Sequence, residues 1–213
     1  MQHHKHRFDP KRRGVLLGAE RWRRWNPPRL LELSGLRKGQ TALDLGCGPG
    51  FWTFPMAEIV GTYGHVTALD VSRELLDDLA AGNPPEHVRV TQCELPTIKL
   101  SDASVDFVWA SFIFHEVDPP SLLAAEVFRV LRPNGRLAVL DWRPDAVSDN
   151  GPPRHHRMPA EQVCEYLLVG GFQNVERAWQ DDDGYLIRAD RPDHRKAEAP
   201  AAETCAPLGG PRR

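Results

Sequence analysis

The chain has 213 residues, of which 41% are hydrophobic and 26% are charged, a composition typical of one compact domain with a short appendage. No stretch approaches the ~18 apolar residues of a membrane span, and the first ten residues lack the apolar segment of a signal peptide. We therefore expect a cytoplasmic protein with no membrane partner. The four cysteines are widely spaced and form no CxxC pair, so we predict reduced thiols and no bound metal.

The net charge of −2 conceals an uneven distribution. Residues through Lys38 include eleven Lys/Arg and three Asp/Glu, a formal charge of +8, so the remainder carries −10. A basic segment of this kind either docks on the acidic body or binds an anionic partner such as nucleic acid. We favour docking and keep nucleic acid as the alternative.

The basic segment is predicted to contain two helices. Val15–Trp25 repeats apolar residues at three- to four-residue spacing, and two prolines begin a second helix over residues 27–34. The segment is apolar on one side and has no place in a sheet. We therefore expect residues 1–26 to form a lid over a bound ligand, with Trp22 and Trp25 packing on the body.

From residue 41 onward, predicted strands and helices alternate. Helices are expected at Thr53–Val60, Ser72–Ala81, Pro120–Leu131 and Pro159–Gly170, and strands at Thr41–Leu45, His65–Asp70, Val88–Cys93, Val105–Ser111, Arg136–Asp141, Val175–Gln180 and Tyr185–Ala189. The last two strands read as a hairpin. This order predicts an α/β fold, a doubly wound, mostly parallel seven-stranded sheet with one antiparallel edge strand from the C-terminal hairpin.

Three regions are expected. Residues 1–38 form the arm and lid helices, and residues 39–190 form the ligand-binding catalytic domain. Residues 191–213 contain mostly Pro, Ala, Gly and charged residues, so we expect a disordered tail.

The first strand, turn and helix read ALDLGCGPGFW. Glycines at the carboxyl end of a strand let a ligand approach the backbone, and Asp70 ends the next strand where it can accept hydrogen bonds from ribose hydroxyls. The G-x-G-x-G spacing, with Phe51 in place of a third glycine, argues against a dinucleotide cofactor. Asp44, two residues before the first glycine, favours a ligand that carries positive charge.

The motif ALDLGCGPG, followed by ALD at the next strand end, resembles the class I S-adenosylmethionine-dependent methyltransferases. ELPTIKLSDASVDFVWASFIFHEV, FRVLRPNGRLAVLDW and GPPRHHRMPAEQVCEYLLVGGF extend the resemblance toward a small-molecule branch related to quinone-biosynthesis enzymes, methyltransferase type 11. That branch begins with an H-x-H-x-F-D-P-like arm, matched here from His4 to Pro10. The resemblance covers residues 4–189.

The resemblance implies a role for each donor-binding position, with S-adenosylmethionine as the cofactor. The methionine portion would lie against Asp44, Gly46, Cys47, Gly48 and Gly50, the ribose against Asp70, the adenine against Val71, Glu94 and Leu95, and the sulfonium and amino group against Ala110 and Ser111. Relatives usually carry Asp where this chain has Glu94. Cys47 is expected to serve as a small packing residue.

Histidines occur in the N-terminal arm, after the fourth predicted strand and after the fifth. We predict that His6, His115 and His156 from these three places form the catalytic cluster on the acceptor side. Imidazole accepts a proton near neutrality, and it also binds anions or soft metals. Few thiols lie near this side, which disfavours metalloid chemistry.

We therefore predict transfer of a methyl group from S-adenosylmethionine to a small-molecule acceptor by in-line displacement. The alternatives are an RNA or protein methyltransferase that docks through the basic arm, and a non-catalytic S-adenosylmethionine-binding module. Sequence alone leaves open the methylated atom and the choice between monomer and homodimer.

Overall fold

The computed structural model describes residue 14, residues 16–148 and residues 150–193. The strands are β1 (Thr41–Leu45), β2 (His65–Asp70), β3 (Val88–Gln92), β4 (Val105–Ser111), β5 (Leu131–Trp142), β6 (Gln173–Gln180) and β7 (Gly184–Asp190). The helices are α1 (Ala19–Trp25), α2 (Pro27–Ser34), α3 (Thr53–Val60), α4 (Arg73–Ala81), α5 (Pro120–Val130) and α6 (Ala160–Val169). Short 3₁₀ turns cover Phe114–Glu116 and Arg154–His156.

The strands form one seven-stranded sheet in the order β3-β2-β1-β4-β5-β7-β6. β1 to β5 pair in parallel, and β7 runs antiparallel to both of its neighbours, β5 and β6. The chain crosses from one side of β1 to the other between β3 and β4, which creates the switch point where ligands bind in open α/β sheets. The predicted fold class is confirmed. No helix among the described residues is long and apolar enough to cross a membrane.

One detail of the predicted sheet is wrong. The antiparallel strand does not lie at the edge, because β7 is inserted between β5 and β6. β7 is buried over most of its length, whereas β6 is mostly exposed or half-buried. The more apolar strand of the hairpin therefore takes the inner position, and the polar strand protects the edge of the sheet.

β5 begins at Leu131, five residues earlier than predicted. Its first residue is separated from the regular pairing with β4 by an irregular segment. Leu131 pairs with Val105, but the next paired residue, Arg136, lies opposite Phe107, so residues 132–135 bulge outward. Arg191 closes the bulge: its N–H donates to the carbonyl of Gly135 at 2.8 Å. The ordered chain thus extends past residue 190. Residues 194–213 of the predicted tail lie outside the described residues.

Helices cover both faces of the sheet, and alternate residues of the central strands supply two cores. On one face Leu43 and Val108 belong to a cluster with α5 and α6. On the other face Ala42 and Trp109 belong to a cluster with α2 and α3. A strand buried on both faces needs near-continuous apolar sequence, as in β1 and β4.

α1 is shorter than predicted, since it begins at Ala19 after the extended residue Gly18. Trp25 is 2% exposed and packs edge-on against Phe112 and Trp142, with ring centroids 4.9 and 5.1 Å away. Trp22 remains 44% exposed, with an edge contact to Phe51 at 5.9 Å. Residues 1–13, half of the predicted lid, lie outside the described residues.

Candidate active site

A cleft of about 960 Å³ opens at the carboxyl ends of the parallel strands. α1 lies over it, and residues 150–153 form one side. Among the predicted site residues, those that line it are Gly46, Cys47, Gly48, Asp70, Val71, Glu94, Leu95, Ser111 and His115. Asp44, Gly50 and Ala110 are buried directly behind this lining.

The loop after β1 needs its glycines. Gly46, Gly48 and Gly50 have φ values of 67°, 54° and 95°, in the left-handed region that side chains disfavour. A Cβ on Gly50 would also approach the Phe54 ring to 2.7 Å. The backbone therefore forms one wall of the cleft with no intervening side chain at these positions.

Asp70 ties this loop to the end of β2. Its Oδ2 accepts from the N–H of Gly48 and its Oδ1 from the N–H of Ser72, both at 2.8 Å. Burial raises the pKa of Asp70, and the backbone N–H donors partly offset that rise. The carboxylate is thus held in a fixed orientation at the cleft wall, as a receptor for vicinal hydroxyls requires.

Asp44 is fully buried at the end of β1. Its Oδ2 accepts from Thr53 Oγ1 at 2.7 Å, whereas Oδ1 has no hydrogen-bond partner among the described residues. Burial raises the pKa of Asp44 to about 7, opposed by the Thr53 hydrogen bond and assisted by the charge of Asp70. A carboxylate left in this state favours a cationic ligand group nearby, such as the ammonium or sulfonium of S-adenosylmethionine.

Cys47 lines the cleft as a neutral thiol. Burial, together with the charges of Asp44 and Asp70, raises its pKa well above the ordinary value. Since the thiolate is the nucleophilic form of cysteine, the thiol of Cys47 is a poor nucleophile here, and its packing role stays a prediction.

His115 lies in the 3₁₀ turn after β4 and forms a buried pair with Asp141 of β5. The Nδ1 and Oδ1 atoms are 2.7 Å apart, and the two side chains are 3% and 0% exposed. Asp141 Oδ1 also accepts from the N–H of Trp142 at 2.8 Å. A carboxylate on Nδ1 keeps the proton on that nitrogen and leaves Nε2 as the basic atom of the neutral ring. Asp141 was not among the predicted site residues, although its place at the end of a buried strand was the available signal.

The charges around His115 favour its protonated form. Burial lowers the pKa of His115, but the charge and hydrogen bond of Asp141 raise it by more, with a further rise from Glu116 and a small opposing effect of Arg157. The pKa therefore lies above that of a free imidazole, so the ring can take up and hold a proton.

Neither of the other two predicted histidines is found in the lining of the cleft among the described residues. His156 is half-buried, and its ring centroid lies 4.3 Å from that of His155 in a tilted contact, whereas Pro152 and Pro153 of the same segment line the cleft. His6 lies outside the described residues. The shared histidine cluster thus stays a prediction, and no group of three metal-binding side chains converges among the described residues.

Aromatic side chains and the arginines Arg21 and Arg24 also line the cleft, and the sequence analysis assigned no site role to Phe51, Phe112 or Arg21. Phe51, Phe112, Trp25 and Trp142 all line it. The Arg21 guanidinium lies 4.8 Å from the Phe51 ring centroid and 5.2 Å from that of Phe112. No periodicity distinguishes Arg21 from the other arginines of α1, so only the fold identifies which of them faces the cleft.

Comparison with known proteins places the chain in a family. Residues 43–139 match a family described as a methyltransferase domain. The chain is 33% identical over 125 residues to a ubiquinone/menaquinone biosynthesis C-methyltransferase from Vibrio campbellii, covering 57% of this chain and 47% of that protein. It is 30% identical over 127 residues to a demethylmenaquinone methyltransferase from Staphylococcus aureus, covering 59% and 52%. The chain therefore spans about half the length of these curated relatives.

A solved structure matches over nearly its whole length. It is a SAM-dependent methyltransferase from Aquifex aeolicus, with 30% identity and a TM-score of 0.79, and the match covers 86% of this chain and 99% of that one. The glycine loop, Asp70 and the buried Asp44 fit the ligand named in that description. The chain belongs to the class I S-adenosylmethionine-dependent methyltransferases.

Proposed function

We propose that the protein transfers the methyl group of S-adenosylmethionine to a small-molecule acceptor, and that His115 receives the proton of the acceptor nucleophile. The buried His115–Asp141 pair carries this proposal, because it lies in the same cleft as the glycine loop. When bound, S-adenosylmethionine supplies an electrophilic methyl group and its leaving group.

The donor side is proposed as the β1, β2 and β3 ends of the cleft. Asp44 and the Gly46–Gly50 backbone would hold the methionine portion, and Asp70 the ribose hydroxyls. Val71, Glu94 and Leu95 would border the adenine. Ala110 and Ser111 would face the sulfonium. What supports this assignment is that these residues line the cleft or lie directly behind its lining.

The acceptor side is proposed as the β4 and β5 ends. His115 Nε2 would accept the proton of a hydroxyl as the new bond to carbon forms, or that of a protonated amine before the free amine attacks, and the Asp141 carboxylate would stabilise the resulting imidazolium. The 3₁₀ turn and the hydrogen bond to Asp141 hold the ring in one orientation, so it need not be ordered when the acceptor arrives.

A small acceptor fits the walls of the cleft better than a polymer does. α1 lines the cleft, and the aromatic rings of Trp25, Phe112 and Trp142 line it as well. Arg24 of α1 pairs with Asp181 and Asp183, which is how part of the basic segment docks on the acidic body. The names of the curated relatives, which concern quinones, agree with a small-molecule acceptor.

The test is a screen for transfer of labelled methyl from S-adenosylmethionine to pools of phenols, quinols, amines, thiols and RNA, using the full chain. With an acceptor from the screen, His115→Ala is expected to lower turnover about 10- to 1000-fold with little change in donor affinity. At saturating donor, the wild-type turnover should fall as pH drops through the raised pKa of His115, because the protonated ring cannot accept a proton.

His65→Gln is the matched control, since His65 is exposed at the opposite end of β2. Labelling of RNA alone, or donor binding without turnover of any pool, would contradict the proposed function. Equal turnover of the His115 and His65 variants would remove His115 from the mechanism.

A further inference from the structure

Arg21 is a cation in the cleft wall that no carboxylate of the described chain neutralises. Its Nε is buried without a hydrogen-bond partner, and no ion pair to its guanidinium occurs among the described residues. Buried charges in proteins are normally paired, because desolvation of an unpaired charge is costly. An unpaired arginine held in a ligand cleft therefore indicates that a ligand supplies the missing anion.

The other arginines of α1 show that this state is specific to position 21. Arg24 pairs with Asp181 and Asp183, at 2.5 and 3.0 Å. Arg23 is exposed, and its Nε lies 3.4 Å from the Ala19 carbonyl. Arg21 and Arg24 both line the cleft and Arg23 faces solvent, but Arg24 already has carboxylate partners, whereas Arg21 has none among the described residues.

The helix that carries Arg21 is fixed from two sides, so the guanidinium is positioned before any ligand binds. Trp25 is buried in the aromatic cluster, and Arg24 bonds to the turn between β6 and β7. Phe51 and Phe112 contact the guanidinium through their rings, an arrangement that suits the planar arginine group and leaves its N–H edge for an oxyanion. Burial lowers the pKa of Arg21 to about 10, so the group is still a cation at neutral pH.

We propose that Arg21 is the oxyanion receptor of the cleft and binds a carboxylate of the ligand through its N–H edge. This inference rests on the proposed function. Phe51 follows the glycine loop and Phe112 follows β4, so Arg21 lies where the donor and acceptor sides meet. The carboxylate therefore comes either from the amino-acid portion of the donor or from the acceptor.

The first experiment uses the full chain and compares Arg21→Gln with Arg23→Gln, which removes the same charge from the solvent side of the same helix. Calorimetry measures binding of S-adenosylmethionine and of its decarboxylated analogue, which lacks only the carboxylate. If the donor supplies the anion, Arg21→Gln weakens S-adenosylmethionine binding about 10- to 100-fold, leaves the analogue unchanged, and Arg23→Gln alters neither.

The second experiment tests the acceptor as the source. Protein saturated with S-adenosylhomocysteine is titrated with benzoate and with benzamide, two flat aromatic probes that differ in charge. If the acceptor supplies the anion, donor affinity is equal in all variants. Benzoate then binds more tightly than benzamide, and only Arg21→Gln abolishes the difference.

A stability measurement separates ligand binding from a structural role. Because the half-buried guanidinium has no anionic partner among the described residues and its Nε is fully buried, Arg21→Gln is expected to leave the unliganded thermal midpoint unchanged or higher. A lower midpoint of Arg21→Gln would overturn the proposal. So would the finding that neither the comparison of S-adenosylmethionine with its decarboxylated analogue nor that of benzoate with benzamide distinguishes Arg21→Gln from Arg23→Gln. Failure of the proposed function is distinguishable, since it appears as donor binding without methyl transfer in the wild type itself.

Discussion

Two carboxylates of the cleft each keep one buried oxygen without a hydrogen-bond partner among the described residues, Oδ1 of Asp44 and Oδ2 of Asp141. An ionised carboxylate in this setting lacks the solvation that water would supply. Asp141 faces the imidazole of His115, whereas Asp44 has only a neutral hydroxyl, that of Thr53. Of these two carboxylates, Asp44 is therefore the one whose ionised form we expect a cationic ligand group to stabilise more.

Donor binding should be linked to ionisation of Asp44. Its raised pKa, about 7 without ligand, means that a cationic donor must first displace a proton, so affinity rises with pH and levels off above 7. Between about pH 5.5 and 7, below the ~7.7–8.0 pKa of an α-amino group, S-adenosylmethionine keeps its charge and its affinity should rise roughly tenfold. Calorimetry in buffers of different ionisation enthalpy would measure the proton release.

Asp44→Asn serves as the comparison, because it keeps the shape and loses the titration. The variant should bind the donor more weakly and with little dependence on pH. An unchanged pH dependence in the variant would assign the titration to another group, with Asp70 next in line because its pKa is also raised.

At the scale of elements, α1 joins the cleft to the C-terminal hairpin. Trp25 lies between Phe112 and Trp142 and also approaches Trp179 of β6 at 6.3 Å. Asp181, in the turn before β7, accepts from Arg24 and from the N–H groups of two neighbouring residues. The hairpin turn thus anchors the helix that covers the cleft.

Trp25→Ala is expected to lower the free energy of unfolding by ~3–5 kcal/mol, the usual cost of truncating a buried aromatic side chain. It should also raise KM for the acceptor, because α1 loses its fixed position, while donor affinity changes little. Trp22→Ala provides the contrast, since that ring is 44% exposed, and it should cost under ~1 kcal/mol. Chemical denaturation and steady-state kinetics check both values. If acceptor KM is unaffected in the Trp25 variant, α1 plays no part in closing the cleft.

At the scale of the whole molecule, the proposed donor site is built into the sheet, so donor binding is expected to stabilise the fold. Asp70 connects the β1 loop to the β2 end, so ligand binding tightens two strands at once. A ligand that binds only the folded state stabilises it by ~2.7 kcal/mol at a hundred times its Kd. For a domain of this size that corresponds to a rise in Tm of roughly 5–11 °C.

Asp70→Ala should remove most of that rise at the same donor concentration, since loss of a charged acceptor for two hydroxyls weakens binding by ~1.5–3 kcal/mol. The unliganded variant should still unfold cooperatively, at a slightly lower Tm because two backbone N–H groups lose their acceptor. Asp77→Ala, an exposed carboxylate on α4, is the control. Thermal scans with and without donor measure all three proteins. An equal ligand-induced rise in both variants would exclude Asp70 from the donor site.

Sequence patterns predicted the sheet well, and the residues they proposed for the donor side line one cleft or lie behind it, because both depend on local signals. Left-handed glycines, a strand-ending Asp70 and near-continuous apolar strands are visible along the chain. The inner position of β7 and the bulge after Leu131 depend on contacts between distant residues, and sequence reasoning missed them. The acceptor side was harder for the same reason. His115 was predicted from its place after β4, but its partner Asp141 is 26 residues away, and Arg21 becomes distinct only once α1 is docked.

Phe112 keeps a backbone φ of 57°, a conformation that glycine or asparagine adopts more easily. Its ring contacts Trp25, Trp142 and Arg21 together. Selection for stability and selection for turnover therefore pull this position in opposite directions. In a library randomised at residue 112, thermal challenge should enrich small residues that relax the turn, whereas growth dependent on the methylated product should retain the aromatic ring.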